Sequence, residues 1–192
     1  YVQPIENHKL EIGGKIISRN QNMQYETKDL VNSSSIFDKE KFDYDQLVSS
    51  VYASGIIDLT NDYSLLAGVR FENTNIKGSW LNNSYNSFEN NYNNLLPNLT
   101  FSKSFGIGKS IKLSYNNRIS RPSSRYVNPN TEYKDNKNLT IGNPDLTPSN
   151  TSQIELGYNS FGRKYQGSYF VYLKNSTDLI ESILNVRNDT TF

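Results

Sequence analysis

An all-β fold, an antiparallel up-and-down barrel of the membrane-crossing kind, is predicted by three features of this 192-residue sequence. Apolar and polar residues alternate with period two along most of the chain, which puts successive side chains on opposite faces of a strand. No segment carries a helical stripe, and Gly and Asn recur too densely for long helices. Connections alternate short and long, so that in a meander one end is trimmed and the other carries every long loop. Outer-membrane barrels are built that way, with short periplasmic turns and long extracellular loops.

The elements follow in order. A stub at residues 1–3 precedes "KLEIGGKII", where Leu10, Ile12 and Ile16 oppose Lys9, Glu11 and Lys15. "QLVSSVYASGIIDL", residues 46–59, is less regular but rich in β-branched residues. In "YSLLAGVRFE", Tyr63, Leu65, Ala67, Val69 and Phe71 share one face, and Ser64, Gly68, Arg70 and Glu72 the other with Leu66. "LLPNLTF" sets Leu95, Leu99 and Phe101 against Asn98 and Thr100, and "SIKLSYNNRI" sets Ile111, Leu113, Tyr115 and Ile119 against Lys112, Ser114, Asn116 and Arg118. "QIELGYN" and "KYQGSYFVYLK" complete a partial barrel of 7–8 strands. Short turns fall at "IENH", "NDY", "GIGK" and "FGRK"; long polar connections span residues 20–45, 78–93 and 120–150, with a tail from about Ser176. Tyr63, Tyr92, Phe105, Tyr115 and Phe161 suit aromatic girdles at the two membrane interfaces.

Composition removes several function classes. Twenty basic residues face 19 acidic ones, and they are spread along the chain, which excludes the basic stripe of a nucleic-acid binder. There is no cysteine, hence no disulfide framework, thiolate metal site or thiol nucleophile. The one histidine, His8, sits in a turn, so zinc sites and serine triads lack parts. No carboxylate pair has the spacing of general acid and base, and a non-enzymatic protein without cofactor or metal is expected. Mean hydropathy is −0.68, yet 14 Tyr and 9 Phe argue against disorder. No run approaches the ~20 apolar residues of a membrane helix, whereas membrane strands remain open. The chain begins on "YVQP" with neither an initiator Met nor a signal sequence, as expected of a processed chain or a segment of a longer one.

Three motifs dissolve on inspection. "GIGKS" has Lys103 where a phosphate-binding loop needs glycine, and reads as a hairpin turn. "DKEKFDYD", residues 38–45, lacks the glycine and closing glutamate of a calcium loop and reads as a solvated loop end. The "NLT" triplets at Asn98 and Asn138 are frequent by chance in so Asn-rich a chain. Lys112, Arg118, Arg70, Glu72 and Glu155 fit a hydrated or salt-bridged barrel wall. Candidate ligand-contacting residues are Arg121, Arg125, Tyr126, Glu132, Tyr133 and Asp135, because they lie in the long Pro-rich connection and loops on rigid scaffolds carry recognition.

The run from "LLPNLTF" through "SRP", "NP" and "GNPDLTP" to "ELGY" resembles the barrel region of TonB-dependent outer-membrane receptors, in particular the outer-membrane β-barrel family abundant in Bacteroidetes. "YVQPIENHKLEIGGK", "FDYDQLVSSVYAS" and "YSLLAGVRFENT" resemble consecutive strands of the same barrel. The resemblance implies active import of an iron chelate, vitamin, glycan or peptide through a plugged barrel of about 22 strands. It implies outer-membrane lipid, TonB with its inner-membrane energising complex, and a surface lipoprotein as partners. Residues 1–192 are then expected to be a segment of a single outer-membrane β-barrel domain, without the plug and the remaining strands. The residue pattern alone also admits a small eight-stranded outer-membrane barrel with an adhesion or structural role, and a soluble secreted glycan-binding β-sandwich.

Overall fold

The computed structural model describes the chain except residues 6–7, 29–35, 60–61, 82–86, 136, 163–164, 188–189 and 192, and except the side chains of 4–5, 27–28, 36–39, 133, 187 and 190–191. In chain order the elements are β1 (Val2–Ile5), β2 (His8–Lys28), β3 (Ile36–Leu59), β4 (Tyr63–Trp80), β5 (Phe88–Ser104), β6 (Lys109–Ser120), α1 (Ser124–Val127), β7 (Glu132–Tyr133), β8 (Leu139–Thr140), β9 (Ser149–Phe161), β10 (Gln166–Thr177), β11 (Val186–Arg187) and β12 (Thr190–Thr191). Eight of them form one antiparallel sheet in the order β1-β2-β3-β4-β5-β6-β9-β10. β7 with β8 and β11 with β12 make two-residue ladders. The seven predicted strands and the stub are all present, and the sheet is open. β1 and β10 do not pair, and among the described residues no second large sheet stacks on it, so neither a closed eight-stranded barrel nor a sandwich describes this arrangement.

The register assigns each side chain to a face. Leu65, Ala67, Val69 and Phe71 of β4 lie opposite Ile57, Gly55, Ala53 and Val51 of β3 on one side and Phe101, Leu99, Pro97 and Leu95 of β5 on the other. With Leu10, Ile12 and Ile16 of β2, Ile111 and Leu113 of β6, Ile154 and Leu156 of β9 and Val171 and Leu173 of β10, they form an outward apolar belt. These side chains are largely solvent-exposed in the chain, Val171 at 70% and Leu173 at 74%. So large an exposed apolar face is a membrane surface. On β4 the belt runs from Tyr63 to Phe71, and the first polar outward residue above it is Asn73. Roughly ten residues at 3.3 Å each, tilted by 45°, give a height near 23 Å, matching the ~25 Å apolar band of such barrels. No helix among the described residues is long and apolar enough to cross a membrane; the strands do the crossing.

The lower rim carries an aromatic girdle. Tyr63 stacks on Phe101 with centroids 5.4 Å apart, and Lys103 Nζ lies 4.5 Å above the Tyr63 ring while donating to its hydroxyl. Tyr158 and Tyr169 sit opposite each other on β9 and β10 at the same end. Tyr92 departs from the expected girdle: it faces inward, under the long connection. The "GIGK" turn is as expected, with Gly106 and Gly108 at φ 68° and 79°.

The largest departure concerns the predicted loops 20–45 and 78–93. β2 continues to Lys28, β3 starts at Ile36, β4 ends at Trp80 and β5 starts at Phe88, so most of both stretches is strand. "DKEKFDYD" likewise lies within β3, with Phe42 fully buried and Tyr44 nearly so. The period of two persists there, but its phase inverts. Below Glu72 the apolar residues of β4 other than Leu66 point outward; above it Ile76 and Trp80 point inward. β3 inverts in the same way to Phe42 and Tyr44, β5 to Phe88 and Tyr92, and β2 to Met23 and Tyr25. Above the belt the outer surroundings are polar, lipid headgroups first and then water, and the dry side becomes the inside. The inward residues form the protein's buried core, with Phe42 against Trp80 at 4.6 Å and against Phe88 at 6.5 Å.

Candidate functional site

The connection between β6 and β9 folds inward onto this aromatic shelf. Its first anchor is Arg121 of "SRP", which donates from Nε to Thr74 Oγ1 at 3.0 Å and pairs through Nη2 with Glu72. Glu72 is also held by Arg70 at 2.9 Å. Pro122 is buried beside it. The short turn α1 then places Val127, fully buried, into the Phe42, Tyr44 and Ile76 cluster. Asn128 donates from Nδ2 to the Tyr25 hydroxyl on β2 at 2.9 Å, and its Oδ1 accepts the Asn130 amide at 3.0 Å.

"GNPDLTP", residues 142–148, closes the same structure from the other side. The Gly142 amide donates to the Asn128 carbonyl at 2.9 Å and the Asn143 amide to the Tyr126 carbonyl at 2.7 Å. Asn143 Oδ1 accepts the Asp145 amide at 2.9 Å, a side-chain turn that suits the intervening proline. Asn90 of β5 donates to the Pro144 carbonyl at 2.6 Å, and the Tyr92 hydroxyl to the Leu146 carbonyl at 2.7 Å. The connection is thus fixed to β4, β3, β2 and β5 in turn, and forms a strap across the upper inner wall.

Gly142 is required by close approach. A Cβ there would meet three backbone carbonyl oxygens, Arg125 at 2.9 Å, Tyr126 at 2.6 Å and Asn128 closer still. Backbone cannot move aside without losing the two hydrogen bonds just described. Gly142→Ala is therefore expected to loosen the strap by about 1–3 kcal/mol while leaving the sheet's melting unchanged. Trypsin cleavage at Arg125 and Lys134 in the folded protein checks it: accelerated cleavage is expected, and unchanged cleavage refutes the packing account.

The six candidate residues are divided by this arrangement. Arg121 points into the wall and is engaged there. Arg125 pairs with Glu132 at 3.0 Å on the exposed side of the strap, with side chains 61% and 44% exposed. Tyr126 is half-exposed. Asp135 caps the β7–β8 turn, accepting the amides of Lys137 and Asn138, both at 2.8 Å, as well as the Asn138 side chain. These donors, the Asn138 amide group first, hold its carboxyl below the ordinary 3.8. The Tyr133 side chain lies outside the described residues.

Arg125, Tyr126 and Asp135 are brought together in one groove of about 710 Å³, with Lys134, Ile141 and Leu146 on the strap side. Its other wall is Ile180–Asn185, a stretch that the sequence presents only as a polar tail. "LIESIL" carries the signal, two apolar pairs around Glu181 and Ser182. Ile183 and Leu184 are 78% and 75% exposed. The groove offers both signs of charge beside aliphatic surface, which suits reversible binding of an amphipathic solute. Among the described residues no three His, Cys, Asp or Glu side chains are grouped to hold a metal ion.

The model of the outer membrane protein beta-barrel family matches residues 1–192. No curated protein sequence matches the chain. Several solved structures share the fold. The copper transporter OprC superposes with a TM-score of 0.72 at 11% identity, over 93% of this chain and 29% of that one. The ferric yersiniabactin uptake receptor FyuA from Yersinia pestis gives 0.66 at 11% identity, over 92% and 27%. The ferric-catecholate import receptor Fiu from E. coli gives 0.63 at 10% identity, over 88% and 28%. The chain therefore spans less than a third of the length of these three structures.

Proposed function

The chain belongs to the outer membrane protein beta-barrel family and lies in the outer membrane, and from that premise we propose that it forms part of the barrel wall of a TonB-dependent receptor. The receptor imports a nutrient actively, an iron chelate, vitamin, glycan or peptide, and performs no covalent chemistry. The observation that carries this reading is the inverted phase of the strands. An apolar belt turned outward below, and an aromatic shelf turned inward above, support a strap that dresses the mouth of a lumen with Arg125, Tyr126 and Asp135. A protein that only adheres has no need to fold its longest connection inward.

The unpaired edges of β1 and β10 support a larger barrel. In lipid each unsatisfied backbone group costs several kcal/mol, so further strands of the same domain cover both edges. A plug inside them couples the receptor to TonB and its energising complex. The "SRP" to "GNPDLTP" resemblance favours a Bacteroidetes source and a surface lipoprotein that meets the strap from outside.

Deleting the gene and supplying ferric chelates, cobalamin, glycans and peptides in turn as the limiting nutrient tests the proposal. Uptake of one class is expected to fall to the level seen in the parent strain treated with an uncoupler. Unchanged uptake across the panel, or uptake indifferent to the uncoupler, overturns it.

A further inference from the structure

Immediately above the apolar belt the outward face becomes a field of carboxamides. Asn73 pairs with Asn93 and Asn75 with Asn91 on two consecutive outward rungs of β4 and β5, beside Ser49 and Leu47 of β3; the next two rungs set Asn20 and Asn22 of β2 opposite Asp45 and Asp43 of β3. They are ordered by one another. Asn73 Nδ2 donates to Oδ1 of Asn91 and of Asn93, both at 2.8 Å. Asn75 donates to Glu89 at 2.8 Å, Asn22 to Asp43 at 2.5 Å, and Asn20 to Asp45. Asn91 and Asn93 are exposed, and each uses only its carbonyl oxygen in these bonds. Both N–H groups and an acceptor lone pair on each remain for an outside partner.

This field begins one outward rung, about 7 Å along the strand, beyond Phe71 and Leu95 of the belt. At that height an outer-membrane protein is surrounded laterally by lipid headgroups, not by bulk water. We propose that the facet centred on Asn73, Asn91 and Asn93 docks the sugar headgroups of outer-leaflet glycolipid, reading hydroxyls through carboxamides. A sugar hydroxyl donates and accepts, and so does a carboxamide. Phosphate calls for cations, and here Lys41 and Lys77 are outnumbered by Asp43, Asp45 and Glu89, with Lys77 already paired to Glu89 at 3.2 Å. Because the amides are held in place before contact, little side-chain freedom is lost on binding. The inference depends on the outer-membrane location and is independent of what the receptor imports.

The test uses the full-length protein purified from outer membranes, delipidated, and reloaded with lipopolysaccharide bearing a complete core oligosaccharide or with lipid A alone. Retained glycolipid is counted by native mass spectrometry. The double variant Asn91→Ala and Asn93→Ala is expected to retain the core-bearing form about tenfold less, with lipid A retention, melting and cellular uptake unchanged. Lys77→Gln is expected to leave retention as it was. Equal retention by the double variant, equal affinity of the wild type for lipid A alone, or loss caused by Lys77→Gln overturns the proposal, the last by revealing a phosphate contact. If the double variant fails to fold, Asn93→Ala alone carries the same expectation at about threefold.

Discussion

Replacing Arg121 by Met is expected to destabilise the upper wall by about 3 kcal/mol and to release the strap. Glu72 is 7% exposed and Thr74 fully buried. Arg121 supplies one of the two cations on that carboxylate and the donor to the Thr74 hydroxyl. Methionine fills similar space but leaves Glu72 with Arg70 alone, whose side chain is 49% exposed and whose charge is shared with solvent. Removing one partner of a buried pair costs about 3–5 kcal/mol, and the retained Arg70 contact puts the expectation at the lower end. The readouts are melting of the full-length protein in detergent and tryptic cleavage at Arg125. Combining Arg121→Met with Glu72→Gln removes the uncompensated charge and is expected to recover part of the loss. If the double variant melts no higher than Arg121→Met, the ion pair is not what holds the strap.

In the sequence, Arg121 stands out only as a charged residue in a long connection, on the same ground as its five companions. Its role is set by Glu72, 49 positions earlier, and no local pattern encodes that meeting. The strap's other anchors, Asn90, Tyr92 and Tyr25, are equally invisible, since each sits in a stretch whose Asn and Tyr content reads as loop. What remains available to a solute on the exposed side of the strap is Tyr126 and Lys134, with Arg125 in its solvent-exposed pair with Glu132.

The belt is legible because one rule governs it: where lipid lies outside, apolar residues alternate outward, and Leu65, Ala67, Val69 and Phe71 obey that rule, with Leu66 the one apolar residue between them on the inner face. The same rule, applied one step further, ends β4 near Glu72. There the outer surroundings change from acyl chains to polar headgroups and then water while the inside becomes dry under the strap, so Ile76 and Trp80 continue the strand in the opposite phase. A search for period-two runs with a fixed phase stops at that point. One inversion carries the alternation on to Met23 and Tyr25 in β2, Phe42 and Tyr44 in β3, Ile76 and Trp80 in β4 and Phe88 and Tyr92 in β5. "GNPDLTP" is recognisable as a rim motif, but the reason for its glycine, contact with the backbone of α1 and Asn128, exists only once the strap is folded.

An arginine scan of the outward face of β4 should trace the height of the belt. At Val69, near its middle, arginine is expected to cost about 2–4 kcal/mol; at Tyr63 and Asn73, the two interfaces, about 0–1 kcal/mol. The cost arises because a guanidinium among acyl chains must reach water, and from Val69 neither interface is within easy reach of the side chain. Arginine at Leu66, whose side chain faces the lumen between Ile56 and Thr100, serves as the control, since the charge leaves the lipid side and has the hydroxyls of Thr100, Ser64 and Ser102 nearby. Urea unfolding of the full-length protein from phosphatidylcholine vesicles gives the profile. A maximum at Val69 with both flanks low fixes the membrane between Tyr63 and Asn73. A maximum displaced to Asn75 would place the carboxamide rungs inside the lipid, and with them would fall both the phase-inversion account of β4 and the headgroup facet above it.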